Sequence, residues 1–232
     1  MRTAVIVTGG PGGADSTGFE PPDVGSTADP AILGDPAIVG DDVVVIAADG
    51  GLHRADSAGL TVDVVIGDMD SVDPERLERA VASGVRVERH PEDKDATDLE
   101  LALDLASARG VGRIVVLASP AGRLDHLLGG LLVLTREAYA HLEIDALVGS
   151  TRVLVVRGRR RLRGRPGQLV SLLPVGGPAR GVTTEDLAWP LVGETLEVGT
   201  TRGVSNRFVS SEAAVSLDDG CLLVMIEMEE AA

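Results

Sequence analysis

Up to about residue 148 the chain alternates short aliphatic runs with helical stretches, and this alternation constrains its fold more than any other feature. Ala4–Val7, Val43–Ala47, Val62–Ile66, Val85–Glu88, Ile114–Ala118 and Ile144–Val148 read as strands. Leu52–Ala58, Pro74–Ser83, Thr97–Arg109 and a long apolar stretch over Leu124–Tyr139 read as helices, the second opened by the cap-and-first-turn pair Asp73-Pro74. Strands separated by helices pair in parallel, because a parallel pair needs a long crossover and the helix supplies it. The expectation is a mostly parallel three-layer α/β/α domain. Between Gly9 and Asp42 the alternation lapses into Gly, Pro, Asp and Ser, which reads as a long, mobile loop.

After about Gly149 the pattern changes. Arg152–Val156, Gln168–Leu173, Gly181–Thr184, Thr195–Val198, Ala213–Leu217 and Cys221–Glu227 are short strand candidates separated by turn residues, without helical periodicity. Such a series predicts an all-β sandwich. Residues 1–148 and 149–232 are therefore expected to form an α/β domain and a β-sandwich domain. The basic run Arg157–Arg165 falls between two of these strands and is expected to be a solvated hairpin.

Composition narrows the partners. The formal net charge is -15, which argues against a nucleic-acid backbone or an anionic membrane as the main partner. A nucleotide remains compatible, provided divalent cations stand between the two negative partners. No run approaches the length of a membrane span, and no secretory signal is visible, so a cytoplasmic protein is expected. One cysteine, Cys221, set among aliphatic residues, reads as core.

The chemistry-bearing motifs follow the strands. Val64-Val65-Ile66 ends in Gly67, and then Asp68 and Asp70 stand two residues apart. At a strand's carboxyl end these are hard oxygen ligands suited to Mg²⁺ carrying a polyphosphate; as a bare pattern they also make a surface turn. Ala48-Asp49-Gly50-Gly51 ends the preceding strand, with glycines that let the backbone approach a ligand. In Asp93–Glu100, Thr97 and Glu100 form a capping box, while Lys94 suits a phosphate and Asp98 a metal shell. Gly122-Arg123-Leu124-Asp125-His126 opens a helix, where Arg123 and His126 suit an anion and Asp125 an ordinary first turn. In the β-rich half, Trp189 in an aromatic-poor chain is either packing or a platform for a flat cationic ring. Ser205-Asn206 is either a turn or a reader of that ring's polar edge. In a parallel sheet all the strand ends share one rim, so Asp49, Asp68, Asp70, Asp98 and Arg123 are expected to converge.

Taken in order, ADGG (48–51), GDxDS (67–71), KDxTDxE (94–100), GRxDH (122–126), Trp189 and the SN pair (205–206) resemble the thiamine pyrophosphokinase family. The resemblance implies a homodimer with active sites at the subunit interface, and Mg²⁺-dependent transfer of the ATP diphosphoryl group to thiamine. It assigns Asp68, Asp70 and Asp98 to metal, with Asp70 and Asp98 as catalytic groups. Asp49, Gly50, Gly51, Lys94, Thr97, Arg123, Asp125 and His126 would meet ATP, and Trp189, Ser205 and Asn206 thiamine. Two positions depart from the family pattern: Gly130 replaces an Asn and Arg207 an acidic residue. These motivate an alternative acceptor such as a hydroxymethyl pterin. A non-catalytic nucleotide-binding protein of the same fold is the reading from another class.

Overall fold

The computed structural model describes residues 1–10 and 42–228, so most of the expected Gly9–Asp42 loop lies outside the described residues. The chain divides into two compact units: residues 1–133 with 141–144, and residues 134–140 with 145–232.

In the first unit β1 (Thr3–Thr8), β2 (Val43–Ala48), β3 (Val64–Gly67), β4 (Arg86–Arg89) and β5 (Arg113–Ala118) form a parallel array in the order β5-β1-β2-β3-β4. The central strands are buried along nearly their whole length, as parallel strands covered by helices must be. Helices α1 (Gly51–Ser57) and α3 (Asp98–Ala108) pack on them, whereas α2 (Pro74–Ala82) has no fully buried residue. The expected caps are in place. Asp73 accepts the Arg76 amide at 2.9 Å, and Thr97 Oγ1 accepts the Glu100 amide at 3.3 Å.

The long helix expected over Leu124–Tyr139 is shorter. Helix α4 covers Leu124–Val133, and a single 3-10 turn follows at Glu137–Tyr139. Arg136 is extended (φ -60°, ψ 140°), and Arg157 donates to the Thr135 carbonyl and pairs with Glu137 at 3.0 Å. Tertiary bonds to that backbone outweigh the continuous apolar pattern that suggested a single helix. Leu124, Leu128 and Leu132 form an exposed stripe on α4.

The second unit consists of two antiparallel sheets. One has the order β12-β9-β14-β7-β6 and the other β11-β10-β13-β8. Its strands are β6 (Glu143–Val148), β7 (Thr151–Val156), β8 (Arg160–Arg163), β9 (Leu169–Pro174), β10 (Ala179–Glu185), β11 (Glu194–Leu196), β12 (Asn206–Arg207), β13 (Glu212–Ser216) and β14 (Leu222–Glu227). Strand β6, the Ile144–Val148 strand expected from sequence, runs antiparallel to β7. Leu154, Leu172 and Val224 of one sheet and Leu162, Val182 and Val215 of the other share one apolar core, which makes this a sandwich. Strands β8 and β12 were not expected. The first is the basic run, and only part of it is solvated: Arg159 pairs with Glu185 in the open, but Arg160 turns onto buried Asp145 at 2.6 Å. Cys221 is buried, as expected.

Candidate active site

The parallel array delivers its motifs to one rim. Asp49 follows β2, Asp68 and Asp70 follow β3, Lys94 and Asp98 follow β4, and Arg123 follows β5. Two glycines make the approach possible. A Cβ on Gly51 would stand 1.9 Å from the Val7 carbonyl oxygen, so α1 can begin against β1 only where there is no side chain. Gly67 has φ +146°, and a Cβ there would lie 3.0 Å from Asp98 Oδ1 and 3.1 Å from Asp49 Cβ. Gly50 is under no such constraint, since its Cβ would meet Ser71 at an ordinary 3.6 Å.

Asp49, Asp68 and Asp70 each present a carboxylate oxygen within 4.8 Å of the others. The backbone is bent to hold them: Asp49 and Met69 have φ of 48° and 70°, in the left-handed region that non-glycine residues enter at a cost. The Asp49 amide is tied to the Ile66 carbonyl at 2.8 Å, which fixes β2's end against β3. The Asp70 amide donates to Asp68 Oδ1 at 3.2 Å, and the Ser71 hydroxyl to Asp70 at 2.8 Å.

Lys94 Nζ lies between Asp68 (3.0 Å) and Asp98 (2.6 Å). The Asp70 amide and then Lys94 hold the Asp68 carboxyl below its ordinary range. Burial opposes the charge on Lys94, but its bonds to Asp98 and Asp68 prevail and hold its ammonium above the ordinary value. Asp49 goes the other way. Burial lifts its carboxyl, against the Gly50 amide and Ser71 hydroxyl, and the Asp98 and Asp70 charges add to the rise. Its Oδ1 is buried without a hydrogen-bond partner. An orphaned carboxylate oxygen beside two further carboxylates fits the donor set of a hard divalent cation. The oxygens that gather are those of Asp49, Asp68 and Asp70, while Asp98 is engaged by Lys94.

The remaining nucleotide candidates differ in kind. Thr97 serves as the α3 cap. Arg123 is forked onto Asp125 at 3.1 and 2.6 Å, and Asp125 also accepts the His126 amide; all three are exposed at the start of α4. They share the rim without touching the carboxylate group. Sequence reasoning missed Arg54, whose Nη1 donates to the carbonyls of Thr8 (2.8 Å) and Leu117 (3.3 Å) at the ends of β1 and β5. Burial draws its guanidinium below the ordinary value. The available signal was an arginine on the helix that follows ADGG.

In the second unit Trp189 is 57% exposed, whereas Asn206 is buried and bonded to the Trp189 backbone. Ser205 is exposed with φ 61°, its amide held by Ser171 Oγ at 3.1 Å.

A parallel sheet with a carboxylate-rich rim, followed in the chain by an antiparallel sandwich, defines a two-module α/β-plus-β protein of the nucleotide-handling class. Residues 37–146 match the thiamin pyrophosphokinase catalytic-domain model, and residues 159–222 match that family's vitamin B1 binding-domain model. The chain belongs to the thiamine pyrophosphokinase family. It is 28% identical over 177 residues to thiamine pyrophosphokinase 1 of Oryza sativa subsp. japonica, the match covering 72% of this chain and 66% of that one. It is 24% identical over 182 residues to thiamine pyrophosphokinase of Bacillus subtilis, covering 78% and 85%. The chain thus spans about two thirds of the length of the rice relative and more of the bacterial one. A crystal structure of the Bacillus subtilis protein superposes with a TM-score of 0.78 at 22% identity, covering 98% of this chain and 100% of that one, which shows the shared fold.

Proposed function

We propose that this protein transfers the diphosphoryl group of ATP to the hydroxyl of thiamine, releasing thiamine diphosphate and AMP. The hydroxyl oxygen forms a bond to the β-phosphorus, the bond from that phosphorus to the α-phosphate bridging oxygen breaks, and the hydroxyl proton is lost. The convergence of Asp49, Asp68 and Asp70 within 4.8 Å at the strand ends carries this reading. The family's vitamin B1 binding model over the second unit supports thiamine over a pterin acceptor.

Asp49, Asp68 and Asp70 would hold Mg²⁺, with Asp98 beside them. When bound, the ion supplies charge neutralisation on the polyphosphate oxygens. The chain's own residues position the reactants. Lys94 brings a positive charge to an acidic rim, the Gly50-Gly51 turn at the start of α1 offers its backbone to the nucleotide, and Arg123 with His126 supplies donors at the start of α4. Thr97 and Asp125 fix the two helix starts that present those donors. Asp70 or Asp98 accepts the hydroxyl proton, and the arrangement favours Asp70, since Asp98 is occupied by Lys94. In the second unit the exposed Trp189 ring offers thiamine a flat face, with Ser205 and Asn206 in the adjoining loop.

The working assembly we propose is a homodimer with active sites at the subunit interface. The leucine stripe on α4, an apolar ridge exposed in the single chain, supports that assembly. Among the described residues no helix is long and apolar enough to cross a membrane, and we place the protein in the cytoplasm. The test is AMP production in the presence of thiamine, ATP and Mg²⁺, with each omitted in turn. AMP that needs all three supports the reading; folded protein that binds ATP and yields no AMP would make it a non-catalytic binder.

A further inference from the structure

The Trp189 segment is fixed from both ends although its ring is exposed. Leu187 and Leu191 are both buried, and Thr184 grips Leu191 twice: the Thr184 amide donates to the Leu191 carbonyl at 3.0 Å, and Thr184 Oγ1 accepts the Leu191 amide at 2.9 Å. Between them Trp189 is clasped by Asn206. Asn206 Oδ1 accepts the Trp189 amide at 3.0 Å, and Asn206 Nδ2 donates to the Trp189 carbonyl at 2.7 Å. The Arg207 amide donates to the same Oδ1 at 2.8 Å, filling both of its acceptor positions. These partners fix which end of the amide is oxygen, since a reversed amide would set N–H against N–H. Asn206 is 3% exposed, while its neighbours Ser205 and Arg207 are exposed.

From this arrangement we infer that Asn206 is a positioning residue for the acceptor: it acts on thiamine through Trp189. Its side-chain oxygen is spent on two backbone amides, so it cannot accept a bond from the substrate. What it supplies is a clasp on the backbone from which an otherwise solvated indole projects, so part of the ring's ordering cost is met before the substrate arrives. The inference rests on thiamine as the acceptor and on Trp189 as its platform.

Trp189 is the sole tryptophan, so the protein's indole emission reports on this loop alone. Asn206→Ala should raise acrylamide quenching and lower the anisotropy of that emission. It should also raise the thiamine KM about tenfold, the scale of one ordered cation–π contact, and leave kcat and the ATP KM within about twofold. Asn206→Asp, which keeps the acceptor and loses the donor, should lie between and serves if the alanine variant does not fold. In a Trp189→Ala background, Asn206→Ala should add less than about twofold. Additive effects in that cycle would overturn the inference in favour of direct contact, and unchanged quenching in both Asn206 variants would overturn it outright. If wild-type protein makes no AMP from thiamine, or Trp189→Ala leaves its KM unchanged, the acceptor reading or the platform fails, while the quenching result still decides whether Asn206 orders the loop.

Discussion

The two units place functional groups by different means. In the first, residues far apart in the chain meet because parallel strands end at a common rim, so the sheet topology does the gathering. In the second, the notable groups lie 17 residues apart and meet through backbone hydrogen bonds of one buried amide. The first solution concentrates charge: one carboxylate lifted by burial, one depressed by a backbone amide and then a lysine, and two residues in left-handed backbone. The second leaves charge out and fixes the backbone beneath an exposed aromatic ring. Sheet topology thus brings like charges together from separate segments, and a local clasp suffices for a single apolar platform.

The comparison can be broken at several points. Asp70→Asn removes a charge from the gathered set without changing its shape, and turnover should fall by about two orders of magnitude or more with the circular dichroism spectrum intact. Wild-type turnover would remove Asp70 from the site. Gly51→Ala forces a methyl into the Val7 carbonyl, and the urea midpoint should fall by the equivalent of about 3 kcal/mol. An unchanged midpoint would mean that the approach of α1 to β1 is adjustable.

A smaller effect separates two readings of Thr97. As a cap alone, Thr97→Ala should cost about 1 kcal/mol of stability with the ATP KM unchanged. A raised ATP KM would add the hydroxyl to the nucleotide contacts. The smallest effect belongs to buried Cys221. Burial pushes the Cys221 thiol up, so at pH 8 it stays protonated and shielded, and the folded protein should react with an aromatic disulfide far more slowly than the unfolded chain. Raising the pH toward the thiol's displaced value should destabilise the fold slightly, because the unfolded thiol loses its proton first. Prompt labelling of native protein would place Cys221 outside the core.

Much of this was legible from sequence because strand-end motifs are local: Asp49, Asp68, Asp70 and Asp98 each follow an aliphatic run or a cap that signals its place. The helix break after Val133 was not legible, since Arg157, far along the chain, secures the Thr135 backbone. Strand β8 was hidden because four basic-rich residues read as a loop, and only pairing with β13 makes them a strand. From sequence, Asn206 reads equally as a turn residue or as a reader of a ring's polar edge, and neither reading turns it inward. Its inward direction depends on the left-handed turn at Ser205, which tertiary contact imposes and composition does not announce.

Gly67 carries a consequence for how the rim can change. With bare Cα at that step, Asp49 beyond β2 and Asp98 at the head of α3 can close over Gly67 from two sides. A lineage seeking a wider gap would find no single replacement there that gently spreads the two acids. It would have to move the turn beyond β2 or the head of α3 instead.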